Sequence, residues 1–75
     1  VSEILVDARG HRCPVPTLRL RRAMEAAPAG AVVRLLADDP MARVDVPHFA
    51  REKAYVVTDA GETDGSLFFV VSKPA

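Results

Sequence analysis

Asp64-Gly65 stands between two runs with strand character, Tyr55-Val56-Val57-Thr58-Asp59 and Leu67-Phe68-Phe69-Val70-Val71-Ser72. An Asp-Gly pair favours a two-residue turn with both residues at positive φ, whose twist matches that of the strands it joins. The last third of the chain is thereby committed to an antiparallel hairpin. A hairpin alone is marginal in water and needs another layer to cover it. The second run is apolar until Ser72, which predicts a central strand buried on both faces.

The upstream sequence supplies the cover. Glu3-Ile4-Leu5-Val6-Asp7 reads as a first strand, ended by the Ala8-Arg9-Gly10 turn. Leu20, Ala23, Met24 and Ala27 recur at helical spacing and form one apolar stripe. Pro28-Ala29-Gly30 stops that helix. Residues 31–37 make a second strand with Arg34 as its only charge. Asp38-Asp39-Pro40 then turns the chain, with Asp39 as a candidate N-cap and Pro40 at the first helical position. Pro47 is expected to break any continuous helix from Pro40. The expectation is a short turn over 40–43, then a helix over 46–53 with Asp45 near its cap and Val46, Phe49 and Ala50 buried. The order βαβαββ predicts an α/β (α+β) two-layer sandwich, a mixed four-stranded sheet with two helices on one face. The other face is expected to stay open and to carry Val32, Leu36 and Phe68 or Phe69. Residues 1–75 are expected to form a single domain.

Arg9-Gly10-His11-Arg12-Cys13-Pro14-Val15-Pro16 holds the only cysteine. A residue before proline is pushed towards extended geometry. The chain is therefore expected to stay extended through Val15, with the helix beginning at Pro16 or Thr17. The thiol then sits at a stiff corner close to the positive end of a helix dipole. Arg9, Arg12, Arg19, Arg21 and Arg22, half of the ten Lys and Arg residues, fall between Ala8 and Met24 with no acid among them. Nearby cations and a helix N-terminus lower a thiol pKa from about 8.5 to roughly 3.5–7.5. Pro14 and Pro16 have no N–H to offer, which leaves Val15 and Thr17 as candidate donors to a thiolate. A small buried hydrophobe is the bland reading of a lone cysteine; the prolines and arginines favour a reactive thiol.

Other readings narrow the chemistry. His11, two residues from Cys13, could serve as a base, but a lone histidine in a basic turn is more often solvated. His11, Cys13 and His48 lack zinc-ligand spacing, so no metal and no other cofactor is expected. Zero net charge argues against stable nucleic-acid binding. No apolar run approaches the roughly 20 residues of a membrane span. One cysteine excludes an internal disulfide, and with no signal-peptide pattern this points to a reducing cytoplasm. Oxidation could join two chains only through Cys13, so a monomer is the expected working state. Arg19, Arg21 and Arg22 ring the first helix behind Cys13, and with Arg12 form a candidate partner-docking face. Leu18 lies among them, opposite Leu20 and Met24. Its ordinary role would be packing against the second helix or a loop; its functional one, an apolar contact for a docked partner.

Val6-Asp7-Ala8-Arg9-Gly10, Cys13-Pro14-Val15-Pro16, Ala37-Asp38-Asp39-Pro40 and Asp45-Val46-Pro47-His48-Phe49-Ala50 follow one another across nearly the whole chain. In this order and spacing they resemble the TusA/SirA-like sulfur carrier family, in which the cysteine of a Cys-Pro-x-Pro motif takes up sulfur as a persulfide. The resemblance implies a sulfurtransferase (persulfide carrier). Cys13 would accept sulfur from a donor protein such as a cysteine desulfurase and relay it to an acceptor protein, in tRNA thiolation, molybdenum cofactor assembly or sulfur oxidation. It also implies a fourth strand lying between the second and third. The chain departs from the family at His11, where an apolar residue is usual, and at Ala54-Tyr55, where a Gly-His-like pair is frequent. The competing reading is a non-catalytic regulatory or redox-sensing interaction module.

Overall fold

A computed structural model of the chain describes residues 3–12 and 14–74. The elements run β1 (Glu3–Asp7), α1 (Val15–Ala26), β2 (Val32–Ala37), α2 (Ala42–Glu52), β3 (Val56–Thr63) and β4 (Ser66–Ser72). The strands form one mixed sheet in the order β1-β2-β4-β3. β1 and β2 are parallel, while β4 is antiparallel to both β2 and β3. This is the βαβαββ sandwich that the sequence predicts, with β4 between β2 and β3.

Asp64 (φ 53°) and Gly65 (φ 80°) both take the left-handed conformation of a two-residue turn and close the hairpin at the Thr63–Ser66 pair. β3 is longer than its apolar core suggests, because pairing with β4 carries it through exposed residues as far as Thr63. A register shift between Val57 and Asp59 leaves Thr58 unpaired, and its hydroxyl donates to the Val70 carbonyl at 3.3 Å.

The strand period of two sorts the sheet into faces. Val33, Leu35 and Ala37 of β2 and Leu67, Phe69 and Val71 of β4 are buried in the core with Leu20 and Met24 of α1 and Ala42, Val46, Phe49 and Ala50 of α2. α1 covers the β1–β2 half and α2 the β4–β3 half. Phe69 is thus a core residue, and Phe68 is the aromatic of the open face. Its ring lies over Gly61, where an added Cβ would come within 2.9 Å of a ring carbon. The Arg34 guanidinium stands 5.3 Å from the ring centroid and pairs with Glu3 at 2.7 Å. β4 is central as expected, though Phe68 on its open side stays half-buried.

Both helices depart from expectation at their starts. α1 begins at Val15, not at Pro16 or Thr17, because the Val15 N–H donates to the Arg12 carbonyl (2.9 Å) and closes a turn before Pro16 is reached. Leu18 N–H then donates to the Pro14 carbonyl (2.9 Å). Pre-proline bias disfavours the helical region without forbidding it, and Pro16 needs no donor in a first turn. α2 is continuous from Ala42 and contains Pro47. An interior proline costs a helix about 3 kcal/mol. Burying Val46 and Phe49, at about 1.5–3 kcal/mol each, offsets that, with Ala42 and Ala50 adding to the same face. The Asp39 carboxylate accepts the Met41 N–H (2.9 Å) and the Asp39 carbonyl accepts the Ala42 N–H (3.0 Å), which shapes the turn into α2; the cap position itself falls on Met41, not on Asp39, because the helix proper begins only at Ala42.

The helix ends are closed as well. Lys73 Nζ donates to the Met24 and Ala27 carbonyls, both at 2.8 Å, and ties the end of α1 to the end of β4. α2 ends through Ala54, which takes φ 60° so that the Tyr55 N–H can reach the Ala50 carbonyl at 2.8 Å. That position favours glycine, and alanine there bears a left-handed cost of roughly 1–2 kcal/mol. Ala54→Gly should raise stability by about 0.5–1 kcal/mol after the extra chain entropy of glycine is allowed for. The midpoint of urea unfolding at unchanged slope is the measurement; a lower midpoint would contradict it.

Candidate functional site

The carboxyl ends of β1 and β2 and the amino ends of α1 and α2 meet at one end of the sheet. The segment from Ala8 to Pro14 runs through this end. Cys13, the sequence-predicted thiol, lies outside the described residues, as does the stiff corner expected for it. The residues flanking it are held by specific backbone and side-chain bonds.

β1 continues one step beyond its ladder, where the Ala8 N–H donates to the Leu36 carbonyl at 2.8 Å. Ala8 is fully buried. At Gly10 the chain takes φ 85° and its N–H donates to both oxygens of the Asp38 carboxylate, at 3.1 and 2.9 Å. The Asp7 carboxylate accepts the Arg9 guanidinium at 2.9 and 2.7 Å and the Arg9 backbone N–H at 3.1 Å. Arg19 reaches back from α1 to the Asp7 carbonyl at 3.4 Å.

α1 and α2 present different amino ends. α2 has Asp45 in its first turn and the Asp39 carboxylate on the Met41 N–H just ahead of it. Among the described residues α1 has no side-chain cap and no acid in its first turn. Among the described residues its first turn therefore offers no anion to the positive end of its dipole. The Val15 N–H, a sequence candidate for holding a thiolate, is already taken by the Arg12 carbonyl. The Thr17 hydroxyl is different: its oxygen is buried and has no hydrogen-bond partner among the described residues. Sequence reasoning named Thr17 for its backbone and missed its side chain. A buried hydroxyl left unpaired costs about 1–3 kcal/mol.

The docking candidates are also placed. Arg12, Arg19, Arg21 and Arg22 are all exposed. Arg21 pairs with Glu25 at 3.3 Å. Among the described residues Arg12 and Arg22 have no ion-pair partner. Leu18 is 54% exposed, so it does not pack against α2 or a loop. It borders shallow depressions shared with Val15, Arg19 and Arg22 on one side and Arg21 and Glu25 on the other. His11 is half-buried in the loop, and its N–H makes a long bond, 3.4 Å, to the Ala8 carbonyl. His48 lies on α2 beside Glu52 at 3.3 Å. Asp38, which sequence reasoning quoted only within a motif, proves to be the residue that reaches the thiol-bearing loop. No spacing rule could have found a bond across 28 positions.

A small α/β sandwich with an uncapped helix start beside a basic, motif-bearing loop defines the class of molecule. The family model for the sulfurtransferase TusA matches residues 4–73. A protein of Archaeoglobus fulgidus is 39% identical over 67 residues, covering 88% of this chain and 87% of its own. The sulfur carrier protein TusA of Allochromatium vinosum is 31% identical over 68 residues, covering 91% and 90%. The crystal structure of a SirA-like protein from Desulfitobacterium hafniense superposes with a TM-score of 0.84 at 30% identity, covering 96% of this chain and 99% of that one. This chain belongs to the TusA family of sulfur carriers.

The Arg9 bonds, the side-chain ones first, lower the Asp7 pKa from its ordinary 3.8 to about 2, with weaker help from the charges of Arg9 and Arg19. Arg9 is shifted upward in turn, chiefly by its bond to Asp7. For a carboxylate lowered by folding, the contribution to stability is complete above 3.8 and is lost as pH falls through about 2. Titration of the Asp7 carboxyl carbon by NMR should give that low midpoint, and Arg9→Gln should return it towards 3.8. A midpoint unmoved by Arg9→Gln would show that the pair does not form.

Proposed function

We propose that this chain carries sulfur as a persulfide on Cys13, taking it from a donor protein and passing it to an acceptor protein. Membership of the sulfur carrier family supports the reading, and the observation that carries it to this residue is the start of α1. Among the described residues that helix end has no side-chain cap and no first-turn acid, and it follows the cysteine by two residues. A thiolate or a persulfide is an anion and is favoured there. The Thr17 hydroxyl can donate to it, and Arg12 adds positive charge from the preceding residue. Pro14 and Pro16 stiffen the backbone on the other side.

The transfer balances without an outside reagent. The Cys13 thiolate attacks the terminal sulfur of the donor persulfide. A new S–S bond forms on Cys13 as the donor's S–S bond breaks, and the donor cysteine leaves as thiolate. Delivery repeats the exchange, with an acceptor thiolate attacking the outer sulfur and Cys13 leaving. A single thiol suits this work, because a neighbouring cysteine would resolve the persulfide into a disulfide. The same chemistry calls for a reducing compartment such as the cytoplasm. Arg12, Arg19, Arg21, Arg22 and Leu18 form the docking face, basic with one apolar contact, for transient partners steered by charge.

Incubation with a cysteine desulfurase and cysteine should add one sulfur atom to the intact mass, removable by thiol reductant. Cys13→Ser should gain none and keep its circular dichroism. Thr17→Val should load more slowly while folding normally. Reversing Arg19 and Arg22 to Glu should raise the donor concentration needed for half-maximal loading, and added salt should do the same to wild type. No gain of mass with any donor would favour the non-catalytic interaction module. Wild-type behaviour of the double arginine variant, with no salt dependence, would remove the docking face.

A further inference from the structure

We infer that Asp38 is a positioning residue for sulfur transfer, a role that rests on the proposed role of Cys13. Consecutive aspartates at the end of β2 serve different elements. Asp39 accepts the Met41 N–H in the turn ahead of α2. Asp38 turns the other way and takes the Gly10 N–H on both carboxylate oxygens. Gly10 is three residues before Cys13 and takes φ 85°, and its N–H finds its acceptor 28 positions away rather than in the local chain. Two residues further on, the Arg12 carbonyl is fixed by the Val15 N–H at the head of α1. The segment carrying Cys13 is thus anchored on both sides, by the helix behind it and by Asp38 in front. Of the two anchors, only the front one depends on a side chain.

The backbone around this anchor leaves Asp38 little competition. The Ala8 N–H is committed to the Leu36 carbonyl, and Asp7 is occupied by Arg9. The carboxylate that reaches the Gly10 N–H is that of Asp38, and it bridges from the sheet end to the loop. A group transfer between two proteins needs its reacting atoms aligned, and a misplacement on the order of 1 Å can cost about a hundredfold in rate. Releasing Gly10 lets the loop drift while the docking face on α1 stays where it is. Loss of Asp38 therefore acts on the rate at saturating donor, and loss of Arg19 and Arg22 acts on the concentration needed to saturate.

The test compares wild type, Asp38→Ala and Asp38→Asn in loading by a cysteine desulfurase with cysteine, and follows exchange of the Gly10 amide by NMR. Asp38→Ala should lower the maximal rate by about tenfold at unchanged half-saturating donor, with faster Gly10 exchange. Asp38→Asn keeps an acceptor oxygen and should retain most of the rate and the slow exchange; should alanine fail to fold, the asparagine variant decides. An alanine variant as fast as wild type, unchanged Gly10 exchange, or an asparagine variant as slow as a folded alanine one overturns the inference. Wild type that takes up no sulfur overturns the carrier reading and this role together, a pattern distinct from loading that ignores Asp38.

Discussion

Because β1 and β2 run parallel, the chain must cross the whole length of the sheet between them, and α1 is that crossing. The crossing dictates that α1 begins at the end where β1 finishes. β2 returns to the same end, and α2 begins there too. Two strand ends, two helix starts and the loop from Ala8 to Pro14 are brought together by pairing direction alone. A second crossover, α2, carries the chain past the place of β4 to β3, which runs parallel to β2, and the antiparallel hairpin then fills the gap between them. Everything chemical about the molecule depends on this convergence.

Within that end, charge is divided between the two helices. α2 has an anion in its first turn, Asp45, and a second, Asp39, on the Met41 N–H just ahead of it. α1 is supplied with none among the described residues and is flanked by arginines. The contrast separates a structural helix start from one able to receive a negative group. Asp38 stands at the boundary, using its charge on the loop backbone and not on the α1 start. Of the two arginines in the loop, Arg9 is held by Asp7, while Arg12 has no ion-pair partner among the described residues.

Much of this was legible in the chain. Asp64-Gly65 gave the hairpin because its preference is local, and Leu20, Met24 and Ala27 gave the buried stripe of α1 because period is local too. The misses share a cause: tertiary burial or a distant partner outweighed a local rule. Pro47 sits inside α2 because the apolar face around Val46 and Phe49 outweighs one lost bond. Val15 is the local exception, helical because the Arg12 carbonyl three residues back lies within reach. Phe68 and Phe69 could not be sorted until the register with Leu35 and Leu36 was fixed. Lys73 capping α1 from 46 positions away and Asp38 holding Gly10 have no signature in sequence. At the candidate site the motif residues were legible as a set, but which of them hold and which are held was not.

The central claim is that the thiol at the head of α1 works as an anion near neutral pH. The most direct measurement is the rate of alkylation of Cys13 by iodoacetamide as a function of pH. The account predicts a midpoint below the ordinary thiol value of about 8.5. A midpoint at or above that value would mean that neither the uncapped helix nor the arginines act on the sulfur, and would contradict the account.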